Sequence, residues 1–156
     1  MTCDEVLVVA APGEAPELPE DAAAPVRIVH DREPHAGPLA GLVEGLRAAT
    51  TPLALVAGGD MPELSAAVLR ELVDDAHETG AGAVALAEGD DVRPLPCVVR
   101  RDELAVAERV LAEGERSLRA FLAAAGVRAI PEVTWRALDE SAGSLKDVDR
   151  PEDVGG

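Results

Sequence analysis

Four aspartates stand where a chain of alternating strands and helices presents chemistry. Asp31 follows the apolar run Val26–His30, and Asp60 closes Gly58-Gly59-Asp60 after the apolar run Pro52–Ala57. Asp147 and Asp149 flank the end of a last apolar stretch, Leu145–Val148. In open α/β sheets, ligands collect beyond the carboxyl ends of the strands, so these positions predict several carboxylates at one rim. A magnesium ion held together with substrate phosphates takes one or two carboxylates and keeps several waters. Asp60 plus one of the terminal pair meets that requirement, and the ion would bridge an acidic protein to a nucleotide's phosphates. Each aspartate also has a plain structural reading. Asp60 ahead of Met61-Pro62 can simply fix a turn, Asp31 opens the turn before Pro34, and Asp147 and Asp149 can cap the approach to Pro151.

Other chemistries find less support. His30 and His35 lie five apart in a loop rather than at a helical ligand spacing, and His77 falls late in an amphipathic helix. Cys3 and Cys97 are remote from each other and neither sits in a CxxC, so they make no four-ligand metal site by themselves. The chain has no GxSxG elbow and no GxxxxGK[ST] loop, and Lys146 is its only lysine. Arg116 and Arg119, one helical turn apart, can meet an anion or be solvated.

The elements that position these residues follow from apolar spacing. Glu5–Ala11 is a continuous apolar run closed by Pro12-Gly13, as expected of a strand buried on both faces. Residues 12–25, with four prolines, read as a loop, and Val26–His30 as a second strand. Leu39, Leu42, Val43 and Leu46 form one helical stripe behind Pro38, a residue suited to a first turn. Pro52–Ala57 predicts a third strand, and Ser65–Thr79 a helix facing inward through Val68, Leu69, Leu72, Val73 and Ala76. Strands are expected at Ala81–Ala87, Leu95–Arg100, Val127–Val133 and Leu145–Val148. Asp102 and Ser117 are placed to cap two further helices, the second closed by Gly126. This alternation predicts a single α/β domain over residues 1–156, with a mostly parallel sheet and helices on both faces.

Bulk properties narrow the function. The 156 residues are 47% apolar, too many for disorder, and 30 acids against 14 bases give a net charge of −16. That charge excludes a simple electrostatic nucleic-acid binder. With Phe121 and Trp135 as the only aromatic side chains besides histidine, a stacking platform for single strands is excluded too. No stretch approaches the roughly 20 apolar residues of a membrane span, and the opening residues lack the regions of a signal peptide. A soluble cytoplasmic protein without nucleic-acid or membrane partners is expected.

Five segments taken in order carry a family resemblance: G-P-L-A-G-L at Gly37–Leu42, G-D-M-P-E-L at Gly59–Leu64, R-P-L-P at Arg93–Pro96, G-E-R-S-L-R at Gly114–Arg119 and D-V-D-R-P-E-D at Asp147–Asp153. Together they resemble the molybdenum cofactor guanylyltransferase (MobA-like) family of nucleotidyltransferases. The resemblance implies a three-layer Rossmann-like fold and Mg²⁺-dependent transfer of GMP from GTP to molybdopterin. It implies that Asp60 holds the metal and the nucleotide, that Asp31 meets the nucleotide, and that Asp149 is a second metal ligand, with Asp147 and Gly37 as additional candidates. An Asp31 carboxylate can accept both hydrogen bonds of a guanine N1–H and N2–H₂ edge. The commoner family pair at the last position is Asn, so two acids there are a departure.

A larger departure concerns the start. The family opens with a strand, a glycine-rich L-A-G-G-x-S-x-R-M-G loop and a lysine before the strand matched here by Glu5–Ala11, and this chain has none of them. That loop holds the triphosphate, and loss of even one such donor in other enzymes costs about 10²–10³ in rate. The expectation is therefore a guanylyltransferase that is inactive in this short form. Two alternatives stand beside it: a catalytically silent paralogue that binds a partner protein or a nucleotide, and a transferase of the same fold with another acceptor.

Overall fold

The computed structural model describes residues 3–18, 20–32 and 36–145. β1 (Val6–Ala10) and β2 (Val26–His30) pair in parallel, with Val6 opposite Val26 and Ala10 opposite His30. Burial of β1 on both faces is not observed: Val6 and Val9 remain 40% and 37% exposed. The reason for Val9 lies in the helix beside it. Gly41 and Gly45 turn bare backbone toward its methyl groups, so the helix comes close but contributes no side-chain cover.

That helix, α1 (Pro38–Ala48), buries Leu39, Leu42, Val43 and Leu46 as its spacing requires and carries proline in its first turn. β3 (Leu53–Val56) follows. α2 (Ala66–Thr79) is capped by Ser65, whose hydroxyl accepts the Val68 N–H, and is closed by Gly80 in the left-handed conformation. β4 (Ala83–Glu88) and β5 (Asp91–Arg100) then form a hairpin. After a 3₁₀ turn at Arg101–Glu103 come α3 (Leu104–Ala112), α4 (Leu118–Ala124), β6 (Arg128–Ile130) and α5 (Glu132–Arg136). A second 3₁₀ turn covers Gly143–Leu145.

The second sheet has the order β3-β5-β4-β6. β5 runs antiparallel to β3 and to β4, and β4 runs parallel to β6. Three of these four strands therefore share one direction and β5 alone opposes them. Pro94 and Pro96 cannot donate to a ladder, and the β4–β5 register shifts at that point: Ala85 faces Cys97 while Leu86 faces Arg93. Alternate residues of β4 enter two cores. Ala83 and Ala85 join Leu39, Val43, Leu46 and Phe121 under α1, α3 and α4. Val84 and Leu86 join Val68, Leu72 and Trp135 under α2 and α5. The result is the expected three-layer α/β arrangement.

The pair β1–β2 is not hydrogen-bonded to the four-stranded sheet. α1 ties the two together by packing on β1 and β2 and, on its other side, on α3 and α4.

Three local expectations need correction. The strand expected over Val127–Val133 stops at Ile130, because Pro131 becomes the N-cap of α5 and Val133 is left 79% exposed on that helix. Asp102 caps nothing, since it lies within the 3₁₀ turn and α3 begins behind Glu103 with no side-chain cap. Leu145 ends a 3₁₀ turn rather than opening a strand, and the rest of that stretch lies outside the described residues. The Ser117 cap is present, with its hydroxyl accepting the Ala120 N–H at 3.2 Å. Gly126 closes α4 in a Schellman motif: its N–H reaches the Ala123 carbonyl and that of Val127 the Leu122 carbonyl.

Candidate active site

Asp60 lies in the connection between β3 and α2, with its carboxylate exposed. Its place is set by a tight winding of the loop. A Cβ at Gly58 would lie 2.6 Å from Asp60 Oδ1, so a side chain there would push that carboxylate aside. The Gly58 N–H donates to the sulfur of Met61 at 3.4 Å, and Met61 is buried. Further along, the Ser65 N–H donates to Ser144 Oγ at 3.0 Å, and Gly143 is pressed against the backbone of Glu63. The loop bearing Asp60 is thus braced by the turn that ends the described chain.

Asp31 sits at the end of β2, where its N–H donates to the Ala10 carbonyl at 2.8 Å. Its Oδ2 approaches to 4.0 Å the position a Gly41 Cβ would take, so the carboxylate lies over the first turns of α1. Asp31 lines a cavity of about 320 Å³ with Arg32, Ala40, Glu44, Arg47 and Arg116. Within that wall Glu44 receives both Arg32 (3.0 Å) and Arg47 (2.8 Å).

Gly37 and the Gly114–Arg119 segment, far apart in the sequence, meet at the same place. Gly37 has φ 90°, and a Cβ there would stand 3.2 Å from both Cβ and the carbonyl oxygen of Arg116. That carbonyl accepts the Leu39 N–H at 3.1 Å, while Arg116 Nη1 donates to the Ala36 carbonyl at 3.0 Å. Neither arginine of this segment is left simply solvated. Arg119 donates to Asp91 at 2.8 Å and to the Val92 carbonyl at 2.9 Å. The Arg119 hydrogen bond, the largest influence on it, holds the Asp91 carboxyl below its ordinary value. No local pattern in the sequence points to that pairing.

Other candidates are removed by their surroundings. Burial pushes the Cys97 thiol up to about 12, so it is no nucleophile near neutral pH. His30 Nε2 is engaged with the Glu14 carbonyl at 2.8 Å. No group of three or more His, Cys, Asp or Glu side chains suited to a metal ion occurs among the described residues. Asp147 and Asp149 lie outside them. An exposed carboxylate such as Asp60 is the hard oxygen donor that Mg²⁺ takes, so the donor chemistry fits that ion.

Residues 1–130 match the MobA-like NTP transferase domain. The chain belongs to the MobA-like family. A probable molybdenum cofactor guanylyltransferase of Chloroflexus aggregans is 37% identical over 159 aligned positions, covering 97% of this chain and 71% of the relative. One from Mycobacterium avium is 37% identical over 131, covering 82% of this chain and 64% of the relative. Against that second protein the chain thus spans less than two thirds of the length. Among solved structures, the molybdopterin-guanine dinucleotide biosynthesis protein A of Archaeoglobus fulgidus superposes with a TM-score of 0.71 at 24% identity. That match covers 81% of this chain and 64% of the other. The 2-C-methyl-D-erythritol 4-phosphate cytidylyltransferase of Thermus thermophilus gives 0.65 at 20% identity, covering 96% and 78%. These likenesses show the MobA-like fold, Rossmann-like in its nucleotidyltransferase form. No helix among the described residues is long and apolar enough to cross a membrane.

Proposed function

We propose that this MobA-like chain carries the metal- and nucleotide-binding part of a guanylyltransferase that moves GMP from GTP to molybdopterin. The observation that carries the reading is the Asp60 loop, an exposed carboxylate seated on a glycine just beyond β3 in a chain of this family. In the reaction a phosphate oxygen of the acceptor attacks the α-phosphorus of GTP in line, and pyrophosphate leaves with the electron pair of the broken P–O bond. Asp60 and Asp149 would hold Mg²⁺, with Asp147 beside them, and the bound ion supplies neutralisation of phosphate charge. Asp31 orients the base by accepting from the guanine N1–H and N2–H₂. Gly37 keeps the turn into α1 low enough for the nucleotide to approach.

We further propose that these 156 residues by themselves transfer no GMP. The phosphate-holding loop of the family is absent from their sequence, and the β1–β2 pair stands unjoined to the other sheet.

The test uses a longer protein that contains this segment. Asp60→Ala should lower Mg²⁺-dependent GMP transfer at least 10²–10³-fold, roughly the loss seen when one transition-state donor is removed. Unchanged turnover would overturn the metal assignment, and GMP transfer by the 156-residue protein itself would overturn the proposed inactivity. In the same series Mg-GTP should raise the thermal midpoint more than Mg-CTP does. The reverse order would favour a cytidylyl donor.

A further inference from the structure

The turn after α5 is organised around a carboxylate that the proposed chemistry does not use. Asp139 accepts the Ser144 N–H at 2.8 Å and the Ser141 hydroxyl at 3.0 Å. Burial acts to raise its carboxyl, but hydrogen bonds from Ser144 (N–H and hydroxyl), Ser141 and the Gly143 N–H prevail and hold it below its ordinary value. The group is an anion at neutral pH and therefore accepts only.

Ser144 is the fully buried polar side chain among the described residues. Its hydroxyl has one proton, and the carboxylate beside it can only accept. The Ser144 hydroxyl oxygen accepts the Ser65 N–H at 3.0 Å, while the Ser144 backbone N–H is held by Asp139 at 2.8 Å. Ser65 is also the N-cap of α2 and the end of the loop that carries Asp60. A second contact reinforces the first: a Cβ at Gly143 would lie 2.9 Å from both Cβ and the carbonyl oxygen of Glu63. Ala142 holds φ 57° to make the turn, a left-handed conformation uncommon for a residue other than glycine.

We infer that Asp139 is a positioning residue for Asp60: Asp139 holds the Ser144 backbone N–H, Ser144 Oγ holds the Ser65 N–H, and Gly143 is seated on Glu63, which together fix the loop that presents Asp60 to a divalent cation. The inference rests on the reading of Asp60 as a metal ligand. In Asp139→Ala the Ser144 N–H loses its acceptor, and the turn that seats Ser144 Oγ on the Ser65 N–H loosens. Ser144→Ala removes the hydroxyl and leaves the Ser65 N–H without an acceptor.

Amide hydrogen exchange on the 156-residue protein tests the clamp, and Mn²⁺ binding followed by electron paramagnetic resonance tests its consequence. In wild type the Ser65 N–H should be protected; fast exchange there overturns the clamp without any variant. In Asp139→Ala and Ser144→Ala, exchange across residues 57–65 should rise about tenfold or more while α3 and α4 keep their protection. Mn²⁺ affinity at the site lost in Asp60→Ala should fall about 10–100-fold, the range seen when groups that orient a ligand are changed. Unchanged exchange at Ser65 overturns the clamp, and exchange raised equally in α3 and α4 makes Asp139 a general stabiliser and overturns positioning. Equal Mn²⁺ affinity in wild type and variant does the same. A wild type with no Asp60-dependent Mn²⁺ site overturns the metal reading instead, and the clamp then stands or falls on exchange alone.

Discussion

Two cysteines of one type show how far surroundings decide a residue's chemistry. Cys3 is exposed, whereas Cys97 lies in β5 under α1 and α3, with its thiol pushed up to about 12. A thiol reagent at pH 8 should therefore modify Cys3 at once and reach Cys97 only when the protein unfolds. Rapid modification of both in the folded protein would contradict the packing of β5. The place of Asp60 between β3 and α2 was legible beforehand because a glycine pair, an acid and a proline follow an apolar run, all local features. The pairing of Arg119 with Asp91 was not, because the two meet only when α4 packs beside the hairpin.

At the scale of elements, the helices obeyed their local signals more faithfully than the strands. α1 begins with its proline, and α2 begins and ends where serine and glycine place it, since caps and the 3.6-residue period act within a few residues. β6 is cut short because Pro131 starts a helix where β-branched residues suggested continued extension. The junction between Gly37 and Arg116 offers a direct check. Gly37→Ala should cost about 1–3 kcal/mol, since a side chain at φ 90° is strained and its Cβ would press on Arg116. Urea denaturation measures this, and a loss below a few tenths of a kcal/mol would show that the contact yields easily.

For the whole molecule, acid stability follows from the carboxylates whose folded values are depressed. Asp91 is lowered chiefly by Arg119, and Asp139 by the hydrogen bonds of its turn, which outweigh its burial. A depressed value means that stabilisation is fully present above the unfolded value of about 3.9 and is lost as pH falls through the folded one. The urea midpoint should therefore fall below about pH 4, and Asp139→Asn should flatten that fall. A midpoint unaffected by acid in that window, or an unchanged slope in the variant, would contradict these bonds. Above that window the net charge of −16 works in the opposite sense, because protonating unpaired acids relieves self-repulsion.

The sequence by itself determined the order of the elements, the α/β class and the position of Asp60 and Asp31 at strand ends. Those are encoded in short-range periodicity, caps and turn residues. Only the tertiary structure decided that β5 opposes its neighbours, that β1 and β2 stand apart from the other sheet, and that Gly37 meets Arg116. The same holds for the clamp from Ser65 to Asp139, whose partners lie more than seventy residues apart. Such contacts depend on which faces pack together, and no local pattern of residues carries that information.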